Sequence, residues 1–343
     1  MATDGRTTGS RPSSRRLKKS SPPANGKTST TGKAGVTTGD TGNQAIVSAV
    51  DLSLQDSTIW KNRILCGDAE DTLATLPAAI VDCIVTSPPY FQQRDYRGSP
   101  DQLGQEESPA AYVRRLTSVF AAARRTLKPT GSLWLVLGDK YDAGCQLGMP
   151  WRVALALIED GWILRSDCIW HKPNAMPSSV KNRPTCDHEY IFFFTREKNY
   201  YYNANAVREP HVTFSANSKM KGGRNHFGKR GGTPESGKNG GQNNLHDGRW
   251  DQAFHPLGRN KRTVWSISLS KFREAHFAVF PEKLVETCIQ ASCPQDGLVL
   301  DPFSGSGTTA VVASRLQRDF LGIDCVPEFC QMALQRLAAS SAR

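Results

Sequence analysis

The chain has 343 residues, a formal net charge of +11 and 38% hydrophobic residues, which is enough for one large domain or two small ones with an apolar core. Its longest apolar runs have the length of a strand, as at residues 133–137, which excludes a transmembrane helix. The nine cysteines show neither metal-binding spacing nor a disulfide framework, so we expect a reducing, cytoplasmic compartment and no bound metal.

The positive charge is concentrated in two segments. Residues 1–44 carry eight Lys and Arg against two acids, and residues 203–262 carry eleven against four. Two basic arms on a nearly neutral body indicate contact with a polyanion, although solvated loops are the alternative. We therefore predict a disordered basic tail over residues 1–57 and a folded domain over residues 58–343.

Strands and helices alternate along this domain. Strands are predicted over residues 62–66, 81–85, 132–137, 162–170, 188–195, 298–300 and 320–323. Helices are predicted over residues 69–76, 109–127 and 150–160, from 281, from 308 to 316, and from 327. Ser108 followed by Pro109 is a typical helix start. This alternation predicts an α/β fold with a mostly parallel sheet and helices on both faces.

The first unusual loop follows the strand at residues 81–85. Pro88 and Pro89 lack amide hydrogens, so the hydrogen-bond ladder of a sheet cannot continue through them. The stiff loop presents the Ser87 hydroxyl, the proline carbonyls and the Tyr90 ring at the carboxyl edge of the sheet, where α/β proteins bind ligands. This set suits a flat ring that carries an amino group. The alternative is a plain turn with Tyr90 in the core.

The segment 203–262 lacks any period of helix or strand. It is rich in Gly, Asn, Lys and Arg, with scattered aromatic residues and histidines. Long loops inside a compact domain are usually functional or disordered. Basic residues interleaved with aromatics favour a nucleic-acid surface over a simple flexible insertion.

A second unusual loop, D-P-F-S-G-S-G-T-T at residues 301–309, joins a strand to a helix. Its glycines would let a ligand approach backbone amides at the helix start. No lysine follows, so it is not a P-loop, and the third glycine of a dinucleotide motif is missing. Asp324 ends the next strand, 23 positions after Asp301, where doubly wound folds place a carboxylate on a ribose. With Asp68, these acids favour a cationic, ribose-bearing ligand without phosphates, and S-adenosylmethionine fits that description.

Together, this loop and the stretch T-S-P-P-Y at residues 86–90 resemble the two motifs of the amino-methyltransferases of DNA. The resemblance extends over residues 63–336, including I-W-H-K-P-N at residues 169–174, and leaves out the tail and the insertion. The catalytic loop precedes the cofactor loop, as in the β class of these enzymes. The resemblance implies a Rossmann-like, circularly permuted methyltransferase fold in which residues 203–262 are a target-recognition insertion.

The resemblance also implies roles for individual residues. The catalytic residues would be Ser87, Pro88, Pro89 and Tyr90. The cofactor S-adenosylmethionine would be bound by Asp68 near its adenine amino group, by Asp324 on its ribose, and by Asp301, Phe303, Gly305, Gly307 and Thr308. Asp324 stands where the family most often has Glu. Candidate DNA contacts are Lys172, Arg183, Arg259, Lys261 and Arg262.

Serine before the two prolines is typical of cytosine-N4 members, whereas adenine-N6 members more often have Asp or Asn. We therefore expect methyl transfer to N4 of a cytosine flipped out of duplex DNA and stacked on Tyr90, with Ser87 and the Pro88 carbonyl accepting hydrogen bonds from its amino group. Adenine N6 and a catalytically inactive DNA-binding protein are the alternatives. Carbon-5 methylation requires a Pro-Cys pair, and no cysteine here follows a proline.

The same resemblance implies the partners and the location of the protein. Double-stranded DNA would be the substrate, and a cognate restriction endonuclease acting on the same site would be a further partner. A bacterial-type cytoplasmic enzyme associated with the nucleoid through DNA is expected.

Overall fold

A computed structural model describes residues 46–48, 57–94, 102–211, 255–269 and 281–341. Most of the predicted tail and residues 212–254 of the predicted insertion lie outside the described residues. Within the described ranges, no helix is long and apolar enough to cross a membrane.

The described residues contain eleven strands and six α-helices. The strands are β1 Ile46–Ser48, β2 Arg63–Cys66, β3 Val81–Thr86, β4 Leu127–Leu137, β5 Tyr141–Asp142, β6 Cys145–Gln146, β7 Ile163–His171, β8 His188–Thr195, β9 Val264–Ser266, β10 Leu298–Asp301 and β11 Asp319–Asp324. The helices are α1 Ala69–Thr75, α2 Pro109–Thr126, α3 Met149–Glu159, α4 Glu282–Ser292, α5 Thr308–Arg315 and α6 Pro327–Ser341, with short 3-10 turns at Ser57–Trp60 and Ala204–Val207.

Local sequence signals explain where the helices begin and end. The Ser108 side chain accepts a hydrogen bond from the amide of Ala111 at 3.2 Å and caps α2, with Pro109 in its first turn. Helix α3 ends before Gly161, whose φ of +92° is a left-handed conformation that glycine adopts at low cost. Both helix ends agree with the sequence prediction.

Nine of the strands form one sheet in the order β1-β2-β11-β10-β3-β4-β8-β7-β9. The first six strands in this order, β1 to β4, are each parallel to their neighbours. Strand β8 is antiparallel to both β4 and β7. Strands β10 and β11 come last in the chain but lie in the middle of the parallel part of the sheet. This order is the circular permutation that the sequence predicts.

Both faces of the sheet are covered by helices. Leu73, Phe120 and Leu157 of α1, α2 and α3 belong to the apolar core on one face. Ile289 and Val312 of α4 and α5 belong to a second core on the other face. Strand β3 is buried along its whole length, as expected of a central parallel strand. The predicted fold class is therefore confirmed.

Strand β3 pairs with β10 over a short register that joins Val299 to Cys83 and Leu300 to Ile84. A buried acid strengthens this pairing: Asp82 accepts hydrogen bonds from the Lys128 ammonium at 2.8 and 2.9 Å and from the amide of Leu298 at 2.9 Å. The carboxyl ends of β3 and β10 therefore lie side by side. They form the switch point at which open α/β sheets bind ligands.

Several elements differ from the sequence prediction. Strand β1 lies inside the predicted tail of residues 1–57, where residues 46–48 pair with β2, so that boundary is wrong. Strand β4 begins at Leu127 and includes the predicted turn before residue 132. The β5–β6 hairpin and β9 were not predicted. Strands of two or three residues are too short to show a period, and only their partners define them.

The ends of the insertion lie against each other. The backbones of Glu209 and Arg259 exchange two hydrogen bonds, at 2.9 and 2.8 Å. The amide of Asn203 donates to the carbonyl of Ala291 in α4 at 2.7 Å. The described ends of the segment 203–262 are therefore attached to the folded domain.

Candidate active site

A cavity of about 680 Å³ opens at the carboxyl edge of the sheet, between the loops that follow β3 and β10. Its size is typical of a site for a cofactor or a small ligand. One wall is the loop of Ser87, Pro88, Pro89 and Tyr90, and the opposite wall is the loop of residues 302–306. The two loops that the sequence singles out therefore face one pocket.

Five of the seven predicted cofactor residues line this pocket: Asp68, Phe303, Gly305, Thr308 and Asp324. The remaining two, Asp301 and Gly307, are buried and lie beneath the loop. A Cβ atom on Gly307 would lie 2.6 Å from the Cβ of Ala333, so this glycine allows helix packing. Asp301 and Gly307 are therefore not among the residues that line the pocket, and their role in binding the cofactor stays a prediction.

Asp301 is buried and connects the two pocket loops through hydrogen bonds. Its carboxylate accepts hydrogen bonds from the hydroxyls of Thr86 at 2.6 Å and Thr309 at 2.7 Å and from the amide of Phe303 at 3.1 Å. Burial raises the pKa of Asp301 to about 6, and the hydrogen bonds oppose this shift only in part. The side chain thus joins the ends of β3 and β10 to the start of α5, and holds the two pocket loops in register.

Asp324 fixes the shape of the glycine loop. One carboxylate oxygen accepts from the amide of Gly305 at 2.7 Å, and the other accepts from the amide of Val326 at 2.9 Å. Burial raises the pKa of Asp324 above its usual value. Gly305 has φ of +51°, and nothing lies within 4 Å of the position of a Cβ atom. The loop is therefore open on the side where a ligand would approach its backbone.

Asp68 has two roles at the same edge of the pocket as Asp324, whose strand pairs with the strand just before Asp68. It caps α1 by accepting from the amides of Glu70 at 2.8 Å and Asp71 at 3.2 Å. It is also exposed in the pocket wall. Both amides bond to Oδ1, so Oδ2 remains as an acceptor for a polar ligand group in the pocket.

The proline loop is held from helix α2. The hydroxyl of Tyr112 donates to the carbonyl of Pro89 at 2.9 Å. The Pro89 carbonyl is therefore already engaged, whereas the sequence assigns the role of acceptor to Pro88. Pro88 lines the pocket together with Ser87.

Ser87 is the first member of a chain of hydrogen bonds. Its hydroxyl donates to the Tyr90 oxygen at 3.1 Å, and the Tyr90 hydroxyl donates to the Glu189 carboxylate at 2.8 Å. Glu189 also accepts from the Lys172 ammonium in a short ion pair. Burial, followed by the charge of Glu189, raises the pKa of Tyr90 well above its ordinary value, so its phenol stays protonated.

The Tyr90 ring packs against Gly138, directly after β4. A Cβ atom at this position would lie 2.6 Å from Cε2 of the ring. A glycine is therefore needed for the ring to lie where its hydroxyl reaches Glu189. Neither Gly138 nor Glu189 was assigned a role from the sequence. A charged residue at the head of an otherwise apolar strand, H-E-Y-I-F-F-F-T, is the signal that could have identified Glu189.

Two of the predicted DNA contacts, Lys172 and Arg183, pack against aromatic rings. The Lys172 side chain is only 16% exposed, lines the pocket and lies over the Trp170 ring at 4.5 Å. This location does not fit the predicted contact with the phosphate backbone. Arg183 lies on the loop between β7 and β8, and its guanidinium lies over the Tyr141 ring at 3.6 Å.

The other three predicted contacts line an open groove beside β9. Arg259 and Lys261 form ion pairs with Glu209, at 3.1 and 3.3 Å. Arg262 is exposed. Glu209 therefore offsets part of the positive charge at the base of the insertion.

The donor set fits a cationic nucleoside better than a nucleotide. Asp68 and Asp324 provide carboxylates, and Phe303, Phe329 and Met332 provide apolar walls. Within the described part of the chain, no group of three or more His, Cys, Asp or Glu could hold a metal ion.

Comparison with known proteins agrees with this chemistry. The model of the N6/N4 DNA methylase family matches residues 81–335. M.Cfr9I of Citrobacter freundii, a type II methyltransferase, is 38% identical over 315 residues, which cover 83% of this chain and 89% of that protein. M.SmaI of Serratia marcescens, also a type II methyltransferase, is 35% identical and covers 82% of this chain and 92% of its own length.

Solved structures show the same fold. The PvuII DNA methyltransferase (cytosine-N4-specific) matches with a TM-score of 0.57 at 21% identity, covering 80% of this chain and 85% of that one. The Thermus thermophilus protein TTHA0409, in complex with S-adenosyl-L-methionine, matches with a TM-score of 0.53 at 24% identity, covering 81% of this chain and 95% of that one. The chain thus belongs to the N6/N4 DNA methylase family, and it is a DNA methyltransferase that uses S-adenosylmethionine.

Proposed function

We propose that this enzyme methylates the N4 amino group of a cytosine flipped out of double-stranded DNA, as the modification enzyme of a type II restriction–modification pair. The observation that carries the proposal is the Ser87 hydroxyl in the pocket wall, oriented by Tyr90. Adenine-specific members of the family more often have Asp or Asn at this position. Serine in place of Asp or Asn therefore favours cytosine.

The orientation of Ser87 suits an amino group. Its hydrogen is used in the bond to Tyr90, so the lone pairs of its oxygen remain for a donor in the pocket. An exocyclic amino group is such a donor, but its own lone pair is delocalised into the ring. Hydrogen bonds from the amino group to Ser87 and to the Pro88 carbonyl favour a pyramidal nitrogen, whose lone pair is available for reaction.

Positioning accounts for the remaining chemistry. When bound, S-adenosylmethionine supplies an electrophilic methyl group on a sulfonium sulfur. Asp68 and Asp324 would hold its adenosine part, with the ribose nearest Asp324. The loop of Ser87 to Tyr90 would hold the base across the pocket, with the Tyr90 ring stacked on it. Bringing two bound reactants into line in this way can supply much of the rate enhancement.

The curated relatives support the biological setting. Both M.Cfr9I and M.SmaI are type II methyltransferases, and they match over more than four fifths of this chain. A cognate endonuclease for the same site is part of the proposal. The basic segment 203–262 would bind DNA, with exposed Arg262 beside the described groove as one contact.

The test is to identify the product nucleoside. Unmethylated plasmid DNA would be incubated with the purified full chain and S-adenosylmethionine, digested to nucleosides and analysed by mass spectrometry. N4-methylcytosine is expected. N6-methyladenine in its place would refute the choice of base. The Ser87→Ala variant should lose transfer and retain S-adenosylmethionine binding by calorimetry.

A further inference from the structure

We propose that Glu189, supported by Lys172, sets the direction of the hydrogen-bond chain through Tyr90 and thereby makes Ser87 an acceptor for the target amino group. Glu189 and Lys172 are then positioning residues for methyl transfer. The proposal rests on the proposed role of Ser87 and applies equally to a cytosine or an adenine amino group.

The direction of the chain follows from the chemistry of its ends. An ionised carboxylate can only accept hydrogen bonds, and an ammonium can only donate them. Oε1 of Glu189 accepts from Lys172, and Oε2 accepts from the Tyr90 hydroxyl at 2.8 Å. The Glu189 and Lys172 side chains are only 17% and 16% exposed. Water therefore competes little for the two carboxylate oxygens.

This arrangement leaves Tyr90 one way to interact with Ser87. The single phenolic hydrogen is used on Glu189, so the Tyr90 oxygen can only accept from its other neighbour. Ser87 lies 3.1 Å away and donates to it. Since the Ser87 hydrogen points to Tyr90, the hydroxyl presents only lone pairs to the pocket. The Glu189 carboxylate makes Tyr90 a donor to it, and Tyr90 in turn makes Ser87 a donor.

Lys172 is held in place from several sides. Its amide donates to the carbonyl of Asp187 at 2.8 Å, and its ammonium lies over the Trp170 ring. The indole of Trp170 in turn donates to the carbonyl of Ile267 at 2.7 Å. The ammonium offsets the carboxylate charge of Glu189 in a site with little water, where an unpaired charge would be costly. These contacts fix the ion pair beside Tyr90.

The Glu189→Gln variant tests the direction of the chain because it keeps the shape of the side chain. Lys172 can bond only to the amide oxygen, which turns the amide NH2 toward Tyr90. Tyr90 must then accept from Gln and donate to Ser87, and the Ser87 hydrogen turns into the pocket. We expect kcat to fall by about 30-fold or more while the Kd for S-adenosylmethionine changes by less than about twofold.

A double-mutant cycle separates this role from a purely structural one. Tyr90→Phe keeps the ring but removes the hydroxyl between Glu189 and Ser87, and we expect it to lower kcat by a similar factor. In the Phe background, Glu189→Gln should add nothing, because the two residues act through one hydroxyl. If the double variant instead lost kcat by the product of the two single losses, the proposal would be overturned. A Glu189→Gln enzyme with kcat within about threefold of wild type would also overturn it. If Glu189→Gln does not fold, an unchanged kcat in Tyr90→Phe alone overturns it.

Two further variants complete the experiment. Glu159→Gln makes the same substitution at an exposed position at the end of α3, and it should leave kcat unchanged. Ser87→Ala separates the two proposals. An active Ser87→Ala enzyme would refute the proposed role of Ser87, and this inference with it. An inactive Ser87→Ala enzyme beside an active Glu189→Gln enzyme would refute this inference alone.

Discussion

The position of the Tyr90 ring can be tested without changing any polar group. Gly138 lies against this ring, and a Cβ atom there would be 2.6 Å from Cε2 and 3.0 Å from Cδ2. The φ of Gly138 lies outside the left-handed region, so alanine adds no backbone strain at this position. Gly138→Ala therefore acts mainly on the space for the ring, since the next atom, Oε1 of Glu189 at 3.4 Å, lies at ordinary contact distance.

The size of the effect follows from the geometry. Non-bonded carbons approach to about 3.5 Å, so the ring must move by about 1 Å. The Tyr90 hydroxyl is 2.8 Å from Glu189 and 3.1 Å from Ser87, and a shift of this size breaks or weakens both bonds. Losing a hydrogen bond to a charged group costs about 1.5–3 kcal/mol, equivalent to a fall in kcat of about 10- to 100-fold.

Single-turnover methylation of plasmid DNA with labelled S-adenosylmethionine would measure this change. Calorimetric titration with S-adenosylmethionine is the internal control, and its Kd should stay near that of wild type, since Gly138 is not among the residues that line the pocket. A Gly138→Ala enzyme with a rate within about threefold of wild type would show that the Tyr90 position does not control transfer.

Three further predictions concern the carboxylates of Asp301 and Asp324 and the thiol of Cys325. Because burial raises the pKa of Asp301 to about 6 from 3.8, the folded protein retains a proton between these pH values that the unfolded chain has released. Wild type should therefore gain up to about 3 kcal/mol of unfolding free energy relative to Asp301→Asn as the pH falls from about 7 to 4, measured by urea unfolding; a constant difference would contradict this. Asp324→Ala releases the amide of Gly305 and should weaken S-adenosylmethionine binding by about tenfold or more in calorimetry, and unchanged affinity would refute the bracing role. Cys325 and Cys145 are both exposed, but only Cys325 is among the residues that line the pocket, so S-adenosylmethionine should slow alkylation of Cys325 by iodoacetamide but not that of Cys145, as followed by peptide mass spectrometry. Equal protection of both would argue against the pocket as the cofactor site.

The local signals of the sequence were sufficient for the two loops. Pro88 and Pro89 end β3 wherever it lies in the sheet, because they lack amide hydrogens. The glycine turn after β10 and the caps of α2 and α3 are also local. These features depend on neighbours in the chain, and for that reason they could be predicted with their approximate bounds.

The surroundings of individual charged residues could not be predicted in the same way. Asp301 follows the pattern of a ligand-binding residue, but Thr86 and Thr309 surround its carboxylate and bury it. Lys172 is a basic residue of the kind that contacts phosphates, but its ammonium is paired with Glu189 inside the pocket. In both cases the partner is remote in the sequence or lies on another strand, and the pattern of residue types contains no information about that distance.

The residue types of each loop were enough to predict its chemistry: a stiff acceptor loop with one aromatic ring, and a glycine loop with acids that suits a cationic nucleoside. The folded structure brings these loops to one pocket, because the pairing of β10 with β3 joins residues more than 200 positions apart. It also decided the direction of the hydrogen bonds at Ser87. That direction depends on the charge of Glu189, which reaches Tyr90 from β8.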